Sequence, residues 1–205
     1  IFTNLSADEM FQTVDPKDAT LVKTDSSKEF CNVCGMHLTK FYKTSHATEF
    51  KNGHKEQYCS LHCQAQIEED HADKIKNIQV VDTNSLKFID AKNAIYVVGS
   101  SKPGTMTPVS KYAFSTKEEA VKFQKEFGGE IHTFDESLDM AKKALIKENN
   151  AIDEKRVPMA IKGKKAFETM CDTKQTKDFN SVGEAKQYLI DNNVCKNLNP
   201  QMMQA

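Results

Sequence analysis

The sequence contains no tryptophan, no long apolar run and almost no net charge. Its longest purely apolar stretch covers residues 94–98, which is far shorter than the ~20 residues that span a bilayer. We therefore expect no transmembrane segment. The chain begins at Ile1 rather than at methionine, so we expect that an upstream segment was removed. Such a segment has room for an export signal or a lipid anchor.

The charge balance argues against a nucleic-acid partner. The sequence contains 28 Lys and Arg residues and 29 Asp and Glu residues, which gives a formal net charge of −1. A protein that binds nucleic acid relies instead on clustered cations that neutralise phosphates. The sequence also lacks a Ser-His-Asp arrangement, a phosphate-binding glycine loop and paired carboxylates at a usable spacing. We predict that the protein is not an enzyme.

Sulfur is abundant in this sequence. It contains six cysteines and eight methionines. Four of the cysteines form two close pairs, Cys31-x2-Cys34 and Cys59-x3-Cys63. Thiolates are soft ligands for Zn(II), Cu(I) or iron–sulfur clusters, and a Cys-x2-Cys turn presents two sulfurs to one ion. The 24 residues between Cys34 and Cys59 are enough for a hairpin that brings the pairs together. The paired spacing therefore indicates a metal site.

Other interpretations of the cysteines stay open. The two pairs are alternatively two disulfides, or Cys31 and Cys34 are a redox pair of the thioredoxin type. Such redox pairs lie near a helix start after a βα unit, and no such unit precedes Cys31. The remaining two cysteines, Cys171 and Cys195, either pair with each other in an oxidising compartment or are simply buried.

Two methionines shift the balance toward copper, because a thioether binds Cu(I) well and Zn(II) poorly. Met36 lies two residues after Cys34 inside the ligand turn, and Met106 lies in a loop between two prolines. His37 and His62 flank the cysteines, either as ligands or as hydrogen-bonded neighbours. Five further methionines are predicted to fill the core, which is the usual role of methionine: Met140, Met159, Met170, Met202 and Met203.

Local patterns predict two copies of a hairpin–helix–strand unit. The first copy has strands at 46–51 and 54–59 around a two-residue Asn52-Gly53 turn, a helix from the cap Ser60 to about residue 75, and a strand at 78–82. The second copy has a hairpin at 86–98 (strands 86–90 and 94–98) and an extended segment at 112–114. A helix with a Ser115/Glu118 capping box follows, stopped by Gly128-Gly129, and then a strand at 130–134.

The predicted fold class is α+β, with two repeated hairpin–helix–strand units, short antiparallel sheets and a small helical C-terminal extension. Residues 1–29 form an N-terminal leader with a short helix opening at Ser6. Residues 30–148 form the metal-binding domain, with repeats at about 36–82 and 86–135. A third helix at 135–147 ends at Glu148-Asn149-Asn150. These polar residues mark the boundary to the extension, 149–205, which has helices at 163–170 and 181–191.

Two sequence blocks resemble known metal-binding families. The segments Cys31-Asn-Val-Cys-Gly-Met36 and Glu56-Gln-Tyr-Cys-Ser-Leu-His-Cys63 resemble the TRASH and YHS modules. The continuation is similar to the NosL family, and this resemblance covers roughly residues 30–145. The similar segments are Val97-Val98-Gly99-Ser100, Gly104-Thr105-Met106 and Tyr112-Ala113-Phe114.

The NosL resemblance implies a function. Members of that family are accessory proteins that hold Cu(I) outside the cytoplasm for the copper centres of nitrous oxide reductase. The resemblance thus implies a periplasmic Cu(I) chaperone used in denitrification, with nitrous oxide reductase or other copper-assembly proteins as partners. It carries over Cys31, Cys34, Met36 and Met106 as the metal ligands.

The sequence departs from the NosL pattern at Cys59 and Cys63, where many members have acidic or aromatic residues. With Cys31 and Cys34, these cysteines complete a set of four thiolates that suits tetrahedral Zn(II). A structural zinc module for protein interaction is therefore the alternative function.

Thr107 also stands where the family commonly has glycine. A thiol–disulfide protein that keeps the reductase or its copper partners reduced is a third hypothesis.

Overall fold

The computed structural model describes residues 10–23, 26–172, 174 and 177–196. Within these residues, seven strands form two antiparallel sheets, and four helices pack around them. The strands are β1 (His46–Phe50), β2 (Lys55–Tyr58), β3 (Ile75–Val81), β4 (Phe88–Asp90), β5 (Ile95–Val98), β6 (Lys111–Phe114) and β7 (Glu130–Thr133). The helices are α1 (Leu61–His71), α2 (Lys117–Phe127), α3 (Phe134–Met170) and α4 (Val182–Asp191). The fold class is α+β, as the sequence predicts. No helix in the described part combines the length and apolar character that crossing a bilayer requires.

The two predicted repeats are present and share one topology. The strand order is β2-β1-β3-β4 in the first sheet and β6-β5-β7 in the second. Each unit is a hairpin, a helix and a third strand that pairs antiparallel with the first strand of the hairpin. The helices also begin in the same way, since the Ser60 hydroxyl accepts the Cys63 N–H and the Thr116 hydroxyl accepts the Glu119 N–H. Each cap satisfies a backbone donor that the first helical turn leaves unpaired.

The hairpin predicted at 86–98 is wrong. β4 pairs with β3 in the first sheet, whereas β5 pairs with β6 and β7 in the second. A 3-10 turn, Ala91–Asn93, separates them, and the Asp90 carboxylate accepts the Lys92 N–H at 2.8 Å to hold this turn. The turn carries the chain from one sheet to the other. The hairpin of the second unit is instead β5 and β6, which the loop 99–110 connects.

Three local predictions shift by one or a few residues. The β1–β2 turn has three residues, because the Phe50 N–H bonds to the His54 carbonyl, and Gly53 adopts a left-handed φ of 84°. Thr116 rather than Ser115 caps α2, and the Ser115 backbone N–H donates to the Asp82 carboxylate instead. α1 ends at His71 and leads through a 3-10 turn directly into β3.

A buried hydrogen bond joins the two sheets inside the main core. His46 of β1 and Tyr96 of β5 are both fully buried, with 2.9 Å between the His46 Nε2 and the Tyr96 hydroxyl. The other ring nitrogen of His46, Nδ1, lies 3.0 Å from the Thr44 carbonyl oxygen. Since a carbonyl only accepts, Nδ1 carries the proton and Nε2 accepts from Tyr96. The surrounding core draws apolar side chains from both sheets, α1 and α3.

The described part of the leader packs against the domain. The Phe11 ring contacts the Tyr112 ring edge-on, with centroids 5.2 Å apart, and also packs on Phe123. Val14 is buried with Tyr42 and Val81. The helix predicted to open at Ser6 lies outside the described residues.

The predicted end of the third helix at Glu148-Asn149-Asn150 is wrong. α3 continues past these residues and through Pro158 to Met170, a total length of 37 residues. The reason is a contact with α1. The Nδ1 of buried His62 lies 2.8 Å from a Glu148 carboxylate oxygen, and its Nε2 lies 3.1 Å from the Asn149 side-chain oxygen. Burial favours the neutral form of Glu148, but the His62 hydrogen bond and the nearby Lys111 ammonium hold the pKa of this carboxyl below its usual value. The domain boundary at 148/149 stays a prediction, but it does not coincide with a helix end.

The C-terminal extension folds back onto the domain. A disulfide joins Cys171, at the end of α3, to Cys195, just after α4. α4 rests on the segment around Cys31 through Gly183, where a Cβ would lie 3.1 Å from the Cys31 carbonyl oxygen. The Gln187 side chain accepts the Glu29 N–H, and the Lys28 ammonium pairs with Asp191 at 2.7 Å. Sequence reasoning left open whether Cys171 and Cys195 bond or are buried apart. In the structure they bond.

His46 gives the stability of the fold a specific pH dependence. Burial lowers the pKa of His46 to about 3, against a usual value near 6.5. Below pH 6.5 the unfolded chain takes up a proton that the folded chain excludes, so stability falls as pH drops from 6.5 toward 3. We expect His46→Gln to reduce this pH-dependent loss of unfolding free energy. For a single group the loss is at most about 1.4 kcal/mol per pH unit. Urea unfolding of the metal-free wild-type and His46→Gln proteins at pH 7, 6 and 5 measures how the free energy of unfolding of each depends on pH. The same pH dependence in both proteins would contradict the assignment of this effect to His46.

Gly183 tests the docking of α4. A leucine at this position has no room against Cys31 and Phe30, so we expect Gly183→Leu to lift α4 from the domain. Hydrogen exchange of the 182–191 amides then accelerates by at least about tenfold, while the β1 and β5 amides keep their protection. Ile190→Leu, at an exposed position of the same helix, is the control. Unchanged exchange in Gly183→Leu would show that α4 does not rest on this segment.

Candidate metal centre

The Cys31–Cys34 segment is a tight turn that presents both sulfurs on one side. The Cys31 N–H donates to the Met36 carbonyl at 2.8 Å, and the Gly35 N–H donates to the Cys31 carbonyl at 2.9 Å. Gly35 has a φ of 70°, a left-handed conformation that glycine adopts without steric cost. Two hydrogen bonds dock the turn on β2, one from the Asn32 N–H to the Gln57 carbonyl and one from the Gln57 N–H to the Asn32 side chain.

Cys59 and Cys63 are positioned by the junction of β2 and α1. Cys59 directly follows β2, and its carbonyl accepts the Thr44 hydroxyl at 2.7 Å. Cys63 occupies the third position of α1, where its N–H is capped by Ser60. Because one cap fixes the first helical turn, both sulfurs point to the same side of the junction.

The four sulfurs converge, as the pair spacing predicts. All lie within 4.8 Å of one another, with 3.4 Å between the Sγ atoms of Cys34 and Cys59 and 3.8 Å between those of Cys59 and Cys63. None of the four is in a disulfide. In a tetrahedral zinc–thiolate site the sulfurs lie about 3.8 Å apart, given Zn–S bonds of about 2.3 Å. The cluster therefore has the size and the soft donors to hold one thiophilic ion, although ligation by these residues stays a prediction.

The thiols of the cluster share protons unevenly. Burial raises the pKa of the Cys31 thiol, but hydrogen bonds from Cys34, Cys59 and Cys63 outweigh this and pull it well below its usual value. Burial and the neighbouring Cys31 raise the pKa values of Cys59 and Cys63. The Cys31 thiol therefore ionises more readily than those of Cys59 and Cys63. A metal ion that binds here must displace the remaining protons.

Both predicted methionines lie next to the cysteines. Met36 and Met106 pack against the apolar cluster that contains the four cysteines, and with Cys34 they line a cavity of about 550 Å³. Cys31, Cys59 and Cys63 are fully buried, whereas Cys34 is partly exposed. Cys34 is thus the cluster sulfur that reaches this cavity.

Met106 is held in an uncommon backbone conformation. Its φ is 67°, in the left-handed region that methionine rarely adopts. The loop around it is anchored at several points: the Tyr112 hydroxyl and the Gln12 amide both donate to the Pro103 carbonyl, and the Thr105 and Thr44 hydroxyl oxygens lie 2.8 Å apart, at hydrogen-bond distance. These bonds place a residue of the second repeat beside the cysteines of the first.

The flanking histidines have partners outside the cluster. The His37 Nδ1 lies 2.9 Å from the Thr39 hydroxyl, and its Nε2 lies 3.4 Å from Glu29. Burial lowers the pKa of His37, although Glu29 opposes this effect. The ring nitrogens of His62 face Glu148 and Asn149, as described above. Of the two roles left open, the structure therefore favours that of hydrogen-bonded neighbours.

Sequence reasoning missed one residue of this cavity. Met159 of α3 lines it and is 37% exposed, and Met140 of the same helix is 39% exposed, so the prediction that they fill the core is wrong. A signal was present: residues 152, 155, 156, 159 and 160 recur at the spacing of one helical face. Met170 is partly buried, and Met202 and Met203 lie outside the described residues.

Lys186 of α4 also lines the cavity. Burial lowers the pKa of its ammonium, and the nearby Cys34 partly counters that effect. The extension therefore brings both a thioether and cationic groups to the accessible side of the sulfur cluster.

Comparison with known proteins identifies the family of this chain. The HTH-type transcriptional repressor CutR of Bacillus subtilis (strain 168) is 25% identical over 118 residues, which are 58% of this chain. The chain spans 61% of the length of that relative. The crystal structure of the copper chaperone NosL from Shewanella denitrificans matches with a TM-score of 0.47 and 24% identity, over 61% of this chain and 95% of that one. The NosL family model matches residues 22–141, more than half of the chain. The chain therefore belongs to the NosL family.

Proposed function

We propose that the protein is a metallochaperone that binds Cu(I) and passes it to a copper protein. The observation that carries this proposal is the arrangement of soft donors around Cys34. This partly exposed cysteine shares a cavity with the thioethers of Met36 and Met106, while the other three cysteines lie buried behind it. The donors thus extend from the interior toward the surface.

The thioethers favour Cu(I) over Zn(II). Zinc gains little from a thioether, whereas Cu(I) binds thiolates and thioethers readily. Met106 is also held with a left-handed φ, which costs of order 1 kcal/mol for a residue other than glycine. A strained residue whose side chain lies beside four cysteines is a candidate for a functional role, because packing alone does not require that conformation.

The arrangement suits ion transfer by ligand exchange. An ion held by Cys34 and the two thioethers is accessible to a thiolate or thioether of a recipient protein. Each exchange forms one metal–sulfur bond and breaks another, so the ion keeps its oxidation state. The buried cysteines supply the thiolate charge that retains the ion between transfers.

The recipient that the family resemblance implies is nitrous oxide reductase, and the compartment is the periplasm. The disulfide between Cys171 and Cys195 supports an oxidising compartment, because disulfides seldom persist in the cytosol. In such a compartment, a bound ion protects the four cluster cysteines from oxidation.

A structural zinc site is the second candidate function. It is favoured by the spacing of the four sulfurs, which lie within 4.8 Å of one another and suit tetrahedral Zn(II). In that case Met36 and Met106 are not ligands, and the metal stabilises a surface for protein interaction.

An anaerobic Cu(I) titration against a chromophoric chelator, with excess Zn(II) present, separates the two candidates. We expect Cu(I) to displace zinc and Met106→Leu to weaken Cu(I) binding about tenfold, which is the loss of about 1.4 kcal/mol from one ligand. Met140→Leu, on the exposed surface of α3, is the matched control and leaves the affinity unchanged. Retention of zinc, with no effect of Met106→Leu, would establish the structural zinc site instead.

A cellular measurement tests delivery. In cells that lack this protein, we expect nitrous oxide reductase to contain less copper and to lose activity, and the wild-type gene to restore both. A Cys34→Ser gene restores neither, because the accessible thiolate is missing. Normal copper content in the deletion strain would exclude the delivery role.

A further inference from the structure

The cavity at the sulfur cluster has a second wall, which belongs to the C-terminal extension. Cys34, Met36 and Met106 form one side. The other side consists of one face of α3 and the first turns of α4, namely Ile152, Lys155, Arg156, Met159, Ala160, Val182 and Lys186. The second wall lies outside residues 22–141, the part that matches the NosL family.

Met159 brings a third thioether to this cavity. It lies one to two helical turns beyond Ile152 and Lys155 on the same face of α3. With 37% of its surface exposed, it does not fill the core. Met159 therefore lines the same cavity as Met36 and Met106 and comes from a different element of the fold.

We propose that Met159 forms an entry site with the two resident thioethers: it takes up Cu(I) at the cavity and hands it to Met36, Met106 and Cys34. The proposal rests on the Cu(I) function proposed above. Thioethers are neutral, so they bind Cu(I) more weakly than thiolates do and exchange it readily. The thiolates behind them draw the ion inward, with no change in its oxidation state.

The cations of the cavity define the form in which copper arrives. Lys155, Arg156 and Lys186 line the cavity, and the Arg156 guanidinium pairs with the Asp153 carboxylate at 3.2 Å. Among the described residues that line the cavity, none is acidic. The ammonium groups of Lys155 and Lys186 give the cavity a net positive charge, which repels a bare Cu⁺ ion but attracts one bound by an anionic ligand. The substrate of the entry site is therefore an anionic Cu(I) complex, such as a Cu(I) thiolate or carboxylate chelate, whose ligand the cations hold while the methionines take the metal.

The rate of copper uptake tests the entry site separately from final affinity. The probe is the anionic Cu(I)–bicinchoninate complex, mixed anaerobically with protein whose Cys171–Cys195 disulfide is intact and whose cluster thiols are free. We expect Met159→Leu to slow transfer about tenfold, since an entry ligand lowers a barrier, and to change the equilibrium affinity by less than about twofold. Met140→Leu, at a similarly exposed position of the same helix, changes neither. Leucine replaces methionine with nearly the same volume, so the fold is preserved.

The outcomes separate this inference from the proposed function. If the wild-type protein takes no Cu(I) from the complex, the proposed function fails. If it binds Cu(I) but Met159→Leu transfers at the wild-type rate, only the entry site is overturned. If Met159→Leu weakens the equilibrium affinity as strongly as Met106→Leu does, Met159 is a resident ligand and the entry role is also overturned.

Methionine methyl resonances provide a second measurement. Ag(I) is a diamagnetic substitute for Cu(I), and protein labelled with ¹³C at the methionine methyl groups reports thioether contact directly. We expect the Met36, Met106 and Met159 signals to shift on addition of Ag(I), and the Met140 signal to stay in place. A Met159 signal that stays in place while Met36 and Met106 shift would contradict the entry site.

Discussion

The antiparallel pairing of β1 with β2 is the constraint on which the sulfur cluster depends. It returns the chain from the first cysteine pair to the second, and its register, His46 opposite Tyr58, places Cys59 next to the start of β1. The Thr44 hydroxyl then binds the Cys59 carbonyl, and the turn that carries Cys31 and Cys34 docks on β2 through Asn32 and Gln57. The two cysteine pairs are thereby positioned by hydrogen bonds between the backbone and neighbouring side chains.

The two repeats share one backbone arrangement, but equivalent positions hold cysteines in the first repeat and polar side chains in the second. Aligned on their helix caps, Cys59 and Cys63 of the first repeat correspond to Ser115 and Glu119 of the second. The Ser115 hydroxyl donates to the Glu119 carboxylate at 3.1 Å, where the first repeat has two neighbouring thiols 3.8 Å apart. The second repeat contributes through its hairpin loop instead, because that loop carries Met106 across to the cysteines. The site therefore belongs to the pair of repeats rather than to either one.

Sequence patterns predicted the features that depend on nearby residues. The cap at Ser60, the stop at Gly128 and the convergence of the cysteine pairs follow from spacing and turn chemistry. The errors arose where distant residues decide the structure. Glu148 and Asn149 look like a helix end in sequence, yet His62, 86 residues before Glu148, satisfies their side chains and the helix continues. Met159 looks like a core residue because only the fold shows that its helix face meets a cavity. The residues 86–98 resemble a hairpin, but the 3-10 turn at Ala91–Asn93 sends their strands to different sheets.

The contact between α4 and the cysteine turn has a thermodynamic consequence. Gly35 lies against the Val182 side chain, and Gly183 lies against the Cys31 carbonyl, so neither glycine leaves room for a side chain of its own where the turn meets α4. The Cys31–Cys34 turn is therefore constrained by α4 when α4 is docked, and it loses this constraint when α4 is undocked. By linkage, a protein that binds only the undocked extension lowers the affinity of the turn for its ligand by the same factor by which that ligand lowers the affinity for the protein. The hold of the turn on a ligand is thus coupled to the contact between α4 and the turn.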